Sequence, residues 1–226
     1  MISSAANPRL KLVRRLESRR QRAKLGLFVC EGEDLVEAAR AAGVEPVDLL
    51  VAGESVEAEL LARVSTLAHP PRVIGVFRRD DLPAFGSRPV GLALWHVTDP
   101  GNVGTLIRCA DAFGASIALS AGCADPTGSK ALRASAGAIF RVPVGRFDEP
   151  EGRRIALVAH GGEALAEVEL GSGTTFVLGA EREGLPDDVV AGCDAVASIP
   201  LAAEAESLNV AGAGAVALYE WSRRCG

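Results

Sequence analysis

The run Val90-Gly91-Leu92-Ala93-Leu94-Trp95-His96-Val97 is apolar at almost every position. A strand with one face in water alternates apolar and polar residues, because successive side chains point to opposite faces. A near-continuous apolar run instead predicts a strand buried on both faces, the situation of parallel sheets covered by helices. Further apolar runs follow at Ser116–Leu119, Ile155–Val158, Thr175–Leu178 and Ala195–Ile199. Helices are expected over about 103–113 and 127–136, with weaker ones between the later strands and a last one over about 208–223. This part of the chain predicts an α/β fold around a parallel sheet.

The preceding part reads as a smaller α/β unit. Asn7-Pro8 predicts a helix over about 8–23, with Asn as cap and Pro at an early helical position. Gly26 then releases the chain into the short apolar strand Leu27-Phe28-Val29-Cys30. A helix over about 33–42, a strand over 47–51, a helix over 56–67 and a strand over 72–77 continue the alternation. Prolines and a glycine between Asp80 and Pro89 mark a break, so the expected division is 1–83, a linker at 84–89, and 90–226.

Charge is distributed unevenly over these units. The first 24 residues hold eight cations and one acid, a local charge of +7 that leaves −12 for the remainder of a chain whose formal total is −5. A basic segment on an acidic body attracts polyanions at one place, which suits an enzyme acting on nucleic acid better than a protein that coats it. Arg9, Lys11, Arg15, Arg19 and Arg22 are the candidate RNA contacts, and a solvated helix face is the competing reading. Aromatic residues make up 4% of the chain, so phosphate and shape contacts are expected to outweigh base stacking. No apolar run approaches the roughly 18 residues of a membrane span, and no apolar leader follows the N-terminus, so a cytoplasmic protein away from membranes is expected. Cys30, Cys109, Cys123, Cys193 and Cys225 are scattered without a CxxC pair, so neither a disulfide framework nor a metal site is expected.

Three segments place glycines and polar side chains where apolar strands should end, which is where open α/β sheets hold ligands. Asp99-Pro100-Gly101-Asn102 leads into a helix carrying Arg108, and the free N–H groups of that helix start can face an anion; a capped surface turn explains it equally well. Gly179-Ala180-Glu181-Arg182-Glu183-Gly184 follows the run Phe176-Val177-Leu178, and a carboxylate at a strand end needs a partner, for which Arg108 is the candidate. Its competing reading is a glycine-rich turn of solvated charges. The third segment is Ile199-Pro200-Leu201, a short acidic loop, then Ser207-Leu208-Asn209-Val210 entering a helix. Ser207 is the expected cap, whereas Asn209, Gly212 and Gly214 are weak helix formers. Their small size suggests close packing against another segment or a second subunit.

In this order the segments resemble the three motifs of the SpoU (TrmH) family of RNA ribose 2′-O-methyltransferases, in the SPOUT superfamily, and the resemblance covers about residues 90–221. Asn7-Pro8 and Phe28-Val29-Cys30-Glu31-Gly32 resemble the family's N-terminal substrate-binding domain, and Lys130-Ala131-Leu132-Arg133-Ala134-Ser135-Ala136-Gly137 resembles its segment between motifs one and two. The resemblance implies a parallel sheet with a deep trefoil knot, an S-adenosyl-L-methionine cofactor, and a homodimer with sites at its interface. It implies cofactor contacts at Leu178, Gly179, Ala180, Gly184, Ile199, Leu201, Ser207, Leu208 and Asn209, and catalytic roles for Asn102, Arg108, Glu181, Ser207 and Asn209. Leu201 stands where many relatives carry Met, a swap of similar volume, and Ala211-Gly212 where Ser-Val is usual.

The expected reaction moves a methyl group from a sulfonium to a ribose hydroxyl. Arg108 would bind the neighbouring phosphate and polarise the 2′-OH, with Glu181 orienting Arg108 and Ser207 supporting the loop. A guanidinium holds its proton far above neutral pH and is a poor base, so a phosphate oxygen or water is the expected proton acceptor. The expected substrate is structured RNA, with rRNA favoured over tRNA. A knotted RNA-binding homologue without turnover is the rival, and a nucleotide-binding dehydrogenase is disfavoured because no GxGxxG follows a strand.

Overall fold

The computed structural model describes residues 1–86, 88–202 and 205–226. Ser87 of the expected linker and Ala203 and Glu204 of the expected acidic loop lie outside the described residues. The expected first helix is two: α1 (Pro8–Arg15), capped by the Asn7 side chain, and α2 (Arg19–Leu25), ended by Gly26 at φ 64°. The break has a cause outside the local pattern. Arg22 donates through Nη1 to the carbonyls of Leu16 at 2.8 Å and Glu17 at 2.7 Å, satisfying groups left open at the end of α1.

β1 (Leu27–Glu31), α3 (Glu33–Ala41), β2 (Asp48–Val51), α4 (Ala58–Ala62) and β3 (Val73–Arg78) follow. The strands form an antiparallel sheet in the order β1-β3-β2. The helix expected over 56–67 shrinks to α4, whose buried Leu60 and Leu61 are enough to seat one turn.

The second sheet is built from β4 (Val90–Leu94), then α5 (Pro100–Ala112), β5 (Ser116–Leu119), α6 (Ser129–Ser135), β6 (Val144–Arg146), β7 (Arg154–Val158), β8 (Glu163–Ala164), β9 (Thr174–Leu178), α7 (Asp187–Ala191), β10 (Ala195–Ser198) and α8 (Val210–Cys225). Its seven strands run β6-β5-β4-β9-β7-β10-β8, with parallel pairing throughout. All five residues of β4 and of β9 are buried, as expected for central parallel strands. The chain builds outward from β4 on one side and then crosses to the other, so order reverses between β4 and β9, the kind of point where such sheets open a ligand crevice.

Close approaches fix the helices above this crevice. A Cβ on Gly104 of α5 would lie 2.3 Å from the Ala131 carbonyl of α6, and one on Gly214 of α8 would lie 2.4 Å from a Leu106 methyl of α5. Gly214 therefore meets a segment of its own chain, whereas Gly212 faces open space. One apolar core joins the two sheets: Phe28 and Phe77 pack with Phe140 at centroid distances of 5.5–6.1 Å. Among the described residues, no helix is long and apolar enough to cross a membrane.

Candidate active site

The turn after β4 caps its own helix. The Asp99 carboxylate accepts from the Asn102 N–H at 3.0 Å and from Lys130 Nζ at 2.7 Å. Lys130, then the N–H groups of Asn102 and Gly101, hold this carboxyl below the usual aspartate range. The α5 start thus faces its own anion rather than an open site for a ligand's. Capping leaves the Asn102 side chain free to turn toward the other segments.

Two bonds from Asn102 join all three. Its Nδ2 donates to Glu181 Oε1 at 2.9 Å, and its Oδ1 accepts from Asn209 Nδ2 at 3.2 Å. Asn209, not Ser207, caps α8: its Oδ1 accepts from the N–H groups of Ala211 at 2.9 Å and Gly212 at 3.4 Å. A residue poor within a helix is among the best just before one, which explains Asn at this position. Glu181 faces Asn102 rather than the expected Arg108. Arg108 lies exposed on α5 and, among the described residues, forms no ion pair.

The segment after β9 closes on itself. Ala180 and Gly184 exchange backbone hydrogen bonds of 3.1 and 3.0 Å, so Glu181, Arg182 and Glu183 form the tip of a tight loop, with Gly184 at φ 67°. A Cβ on Gly179 would fall 2.2 Å from the Gly184 carbonyl carbon and 2.5 Å from Leu185 N, so only glycine permits this closure.

Beside the loop is a cleft of about 460 Å³ at the carboxyl ends of β7, β9 and β10. Its walls include Leu178 and Gly179 from the end of β9, Ala180 and Gly184 from the loop, and Ile199, Leu201, Ser207 and Leu208 from the third segment. Asn102, Arg108 and Asn209 are not among its lining residues. Val158 and Ala159 at the end of β7 also line it; the sequence marked Val158 only as the end of an apolar run and did not mark Ala159. The volume falls within the roughly 300–1,000 Å³ of small-molecule sites.

The basic N-terminal residues do not act as one surface. Lys11 is exposed, and Arg15 is exposed with a 3.1 Å bond to Gln21. Arg9 forms a fork on Asp48 and donates to the Leu49 carbonyl at 3.1 Å. Arg19 reaches the Cys123 carbonyl at 3.0 Å while remaining exposed. Arg22 is 7% exposed and pairs with Asp125, which removes it from any RNA-facing surface. The pattern that placed it beside its basic neighbours carried no information about Asp125, a hundred residues away.

A family model described as the SpoU rRNA methylase family matches residues 89–219, more than half of the chain. The chain belongs to the SpoU rRNA methylase family. A second model, an MRM3-like substrate-binding domain, matches residues 7–76 of this SpoU protein. The chain is 30% identical to the 23S rRNA (guanosine(2553)-2′-O)-methyltransferase RlmP of Bacillus subtilis, over 96% of this chain and 97% of that one. Its structure resembles an AdoMet-bound rRNA methyltransferase from Sinorhizobium meliloti, with TM-score 0.85, 29% identity, and 98% and 97% of the two chains covered. It also resembles the SpoU methyltransferase AviRb from Streptomyces viridochromogenes in complex with AdoMet, with TM-score 0.84, 26% identity, and 96% and 98% covered.

Proposed function

We propose that this chain transfers a methyl group from S-adenosyl-L-methionine to a ribose 2′-OH in structured RNA, with rRNA favoured over tRNA. The observation that carries the reading is Asn102, bonded to both Glu181 and Asn209 beside the 460 Å³ cleft. Relatives named for 23S rRNA support the choice of RNA.

The cleft residues fit the donor. Backbone around Leu178, Gly179, Ala180 and Gly184 would hold its polar groups, and Ile199, Leu201 and Leu208 would offer an apolar wall to its adenine. A side chain on Gly179 would collide with the loop that walls the cleft, so the shape of this wall depends on glycine there. The donor supplies an electrophilic methyl on a sulfonium. Asn209 and Asn102 hold the three turns in register, and Ser207 supports the cleft rim. Arg108 binds the phosphate beside the target ribose and polarises its 2′-OH, and the hydroxyl proton passes to a phosphate oxygen or water. Such positioning can supply on the order of 7–11 kcal/mol of a two-reactant barrier.

Arg108 does not line the cleft of its own chain, which supports a site shared between two copies. Val216, 40% exposed, and Tyr219, 59% exposed, with Gly212 form an uncovered stripe on α8, and we infer that a homodimer buries it. Residues 1–83 serve as the RNA-binding unit and 90–226 as the knotted methyltransferase unit, in the cytoplasm.

The test is methyl transfer from labelled donor to rRNA by the full-length protein and by Arg108→Ala. Wild-type turnover is expected, and the variant should lose it with donor affinity nearly unchanged. Absence of wild-type turnover on rRNA and tRNA alike, or substantial turnover by Arg108→Ala, overturns the reading.

A further inference from the structure

We infer that the buried Arg22–Asp125 ion pair is a positioning device that sets the RNA-facing helix α2 relative to the methyl-transfer site. This rests on the methyltransferase reading and adds two residues to it. Arg22 Nε donates to Asp125 Oδ2 at 2.9 Å and Nη2 lies 2.8 Å from the same oxygen, with side chains 8% and 6% exposed. The remaining polar atoms of the pair are engaged as well, and a second cation, Arg79, lies 3.8 Å from Asp125 Oδ1 through its Nη2. Asp125 Oδ1 accepts from the Thr127 N–H at 3.0 Å and hydroxyl at 2.7 Å, while Arg22 Nη1 holds the end of α1. Gly128 leaves room for the guanidinium: a Cβ there would lie 3.4 Å from Arg22 Nη2 and 3.2 Å from the Asp125 carbonyl.

From Asp125 the path to the site is short. Ala124 N donates to the Val97 carbonyl at 2.9 Å, two residues before Asp99. The rest of the loop is fastened to the same strand end, through Ser120 N to the Leu94 carbonyl at 3.0 Å and His96 N to Ser120 Oγ at 2.9 Å. His96, at φ 51°, stacks on Trp95 with rings 4.8 Å apart and fills the space above Gly122, where a Cβ would lie 2.6 Å from its ring. A rigid line thus runs from α2 through Arg22, Asp125 and Val97 to the Asp99–Asn102 turn.

Adhesion between the two sheets does not require this pair, because Phe28, Phe77 and Phe140 already join them. Buried ion pairs add little net stability over apolar groups of the same shape; what they add is a fixed geometry. Arg20 and Lys24 on the same helix are exposed, and Arg19 is exposed while bonded to the Cys123 carbonyl, so turning Arg22 inward fixes where these cations meet RNA.

The experiment compares full-length wild type, Asp125→Asn, Arg22→Lys and Arg20→Ala, using rRNA from cells lacking this protein. Single-turnover rate at saturating RNA, RNA affinity, donor affinity and thermal melting are measured. A misplacement near 1 Å costs about a hundredfold in rate. Asp125→Asn and Arg22→Lys should slow transfer at least about tenfold, with RNA affinity within about threefold and donor affinity unchanged, whereas Arg20→Ala should act through weaker RNA binding. Folded Asp125→Asn and Arg22→Lys proteins with wild-type rates overturn the inference, as do slow rates explained entirely by weaker RNA or donor binding. Failure of both variants to fold also overturns it, since the pair would then serve stability. Active wild type with unaffected variants refutes the positioning role alone; inactive wild type refutes the methyltransferase reading beneath it.

Discussion

Gly179→Ala is the sharpest local perturbation of the donor cleft. Its Cβ would sit 2.2–2.5 Å from three backbone atoms of Gly184 and Leu185, and backbone cannot swing aside as a side chain can. Relief requires the loop to open, breaking the Ala180–Gly184 pair of hydrogen bonds at 3.1 and 3.0 Å. Two net backbone hydrogen bonds are worth about 1–3 kcal/mol. Alanine recovers about 0.4–1 kcal/mol by restricting the unfolded chain, and residual strain adds about 1 kcal/mol or more. The balance is a loss of about 2 kcal/mol, which, if it falls on the closed loop that walls the cleft, weakens donor binding roughly thirtyfold. Calorimetric titration with the demethylated donor product measures this directly, with thermal melting as the control for global unfolding. Binding within twofold of wild type, with an unchanged melting temperature, would refute the claim that this loop closure shapes the cleft.

Gly104→Ala should lower the melting temperature by several degrees, since its Cβ would press to 2.3 Å from the Ala131 carbonyl and cost about 1–3 kcal/mol; an unchanged melt would contradict the close α5–α6 packing. Asn102→Asp places a carboxylate against Glu181 and removes the Nδ2 donor, so methyl transfer should fall steeply while RNA binding persists, as read by rate against filter binding. Burial pushes the Asp125 carboxyl up, but the Thr127 hydroxyl and N–H and the Arg22 guanidinium outweigh it, leaving the carboxyl below its ordinary range. A lowered folded-state pKa gives stability that is present above the unfolded value near 3.9 and lost as pH falls through the folded one. Asp125→Asn should therefore flatten the loss of stability below about pH 4, measured by denaturant melts across that range. Lys11→Ala should weaken RNA binding and reduce the salt slope by about one unit; an unchanged slope would take this exposed cation out of the RNA contact.

The sequence revealed the central strands because burial on both faces removes the polar alternation, as β4 and β9 show. It concealed β6 and β8, whose three and two residues are too short to carry a period. The helix expected over 8–23 broke at Leu16–Ser18 because Arg22 caps α1, which depends on where Arg22 is drawn by a distant carboxylate. Glu181 illustrates the same limit. Its need for a partner followed from its position at a strand end, but the choice of Asn102 over Arg108 was made by the fold. Asn209 was conspicuous as a poor helix former, and its conspicuousness came from lying one position outside the helix, as its cap.

The central claim is that the cleft at the ends of β7, β9 and β10 holds a methyl donor for a ribose that Arg108 engages. Quantitative mapping of ribose methylation across total RNA tests it most directly, in cells without this protein and in the same cells supplied with wild type or Arg108→Ala. The expected result is a ribose in rRNA that loses its methyl group without the protein, regains it with wild type and stays bare with Arg108→Ala. RNA methylation identical in all three, or full restoration by Arg108→Ala, would contradict the claim.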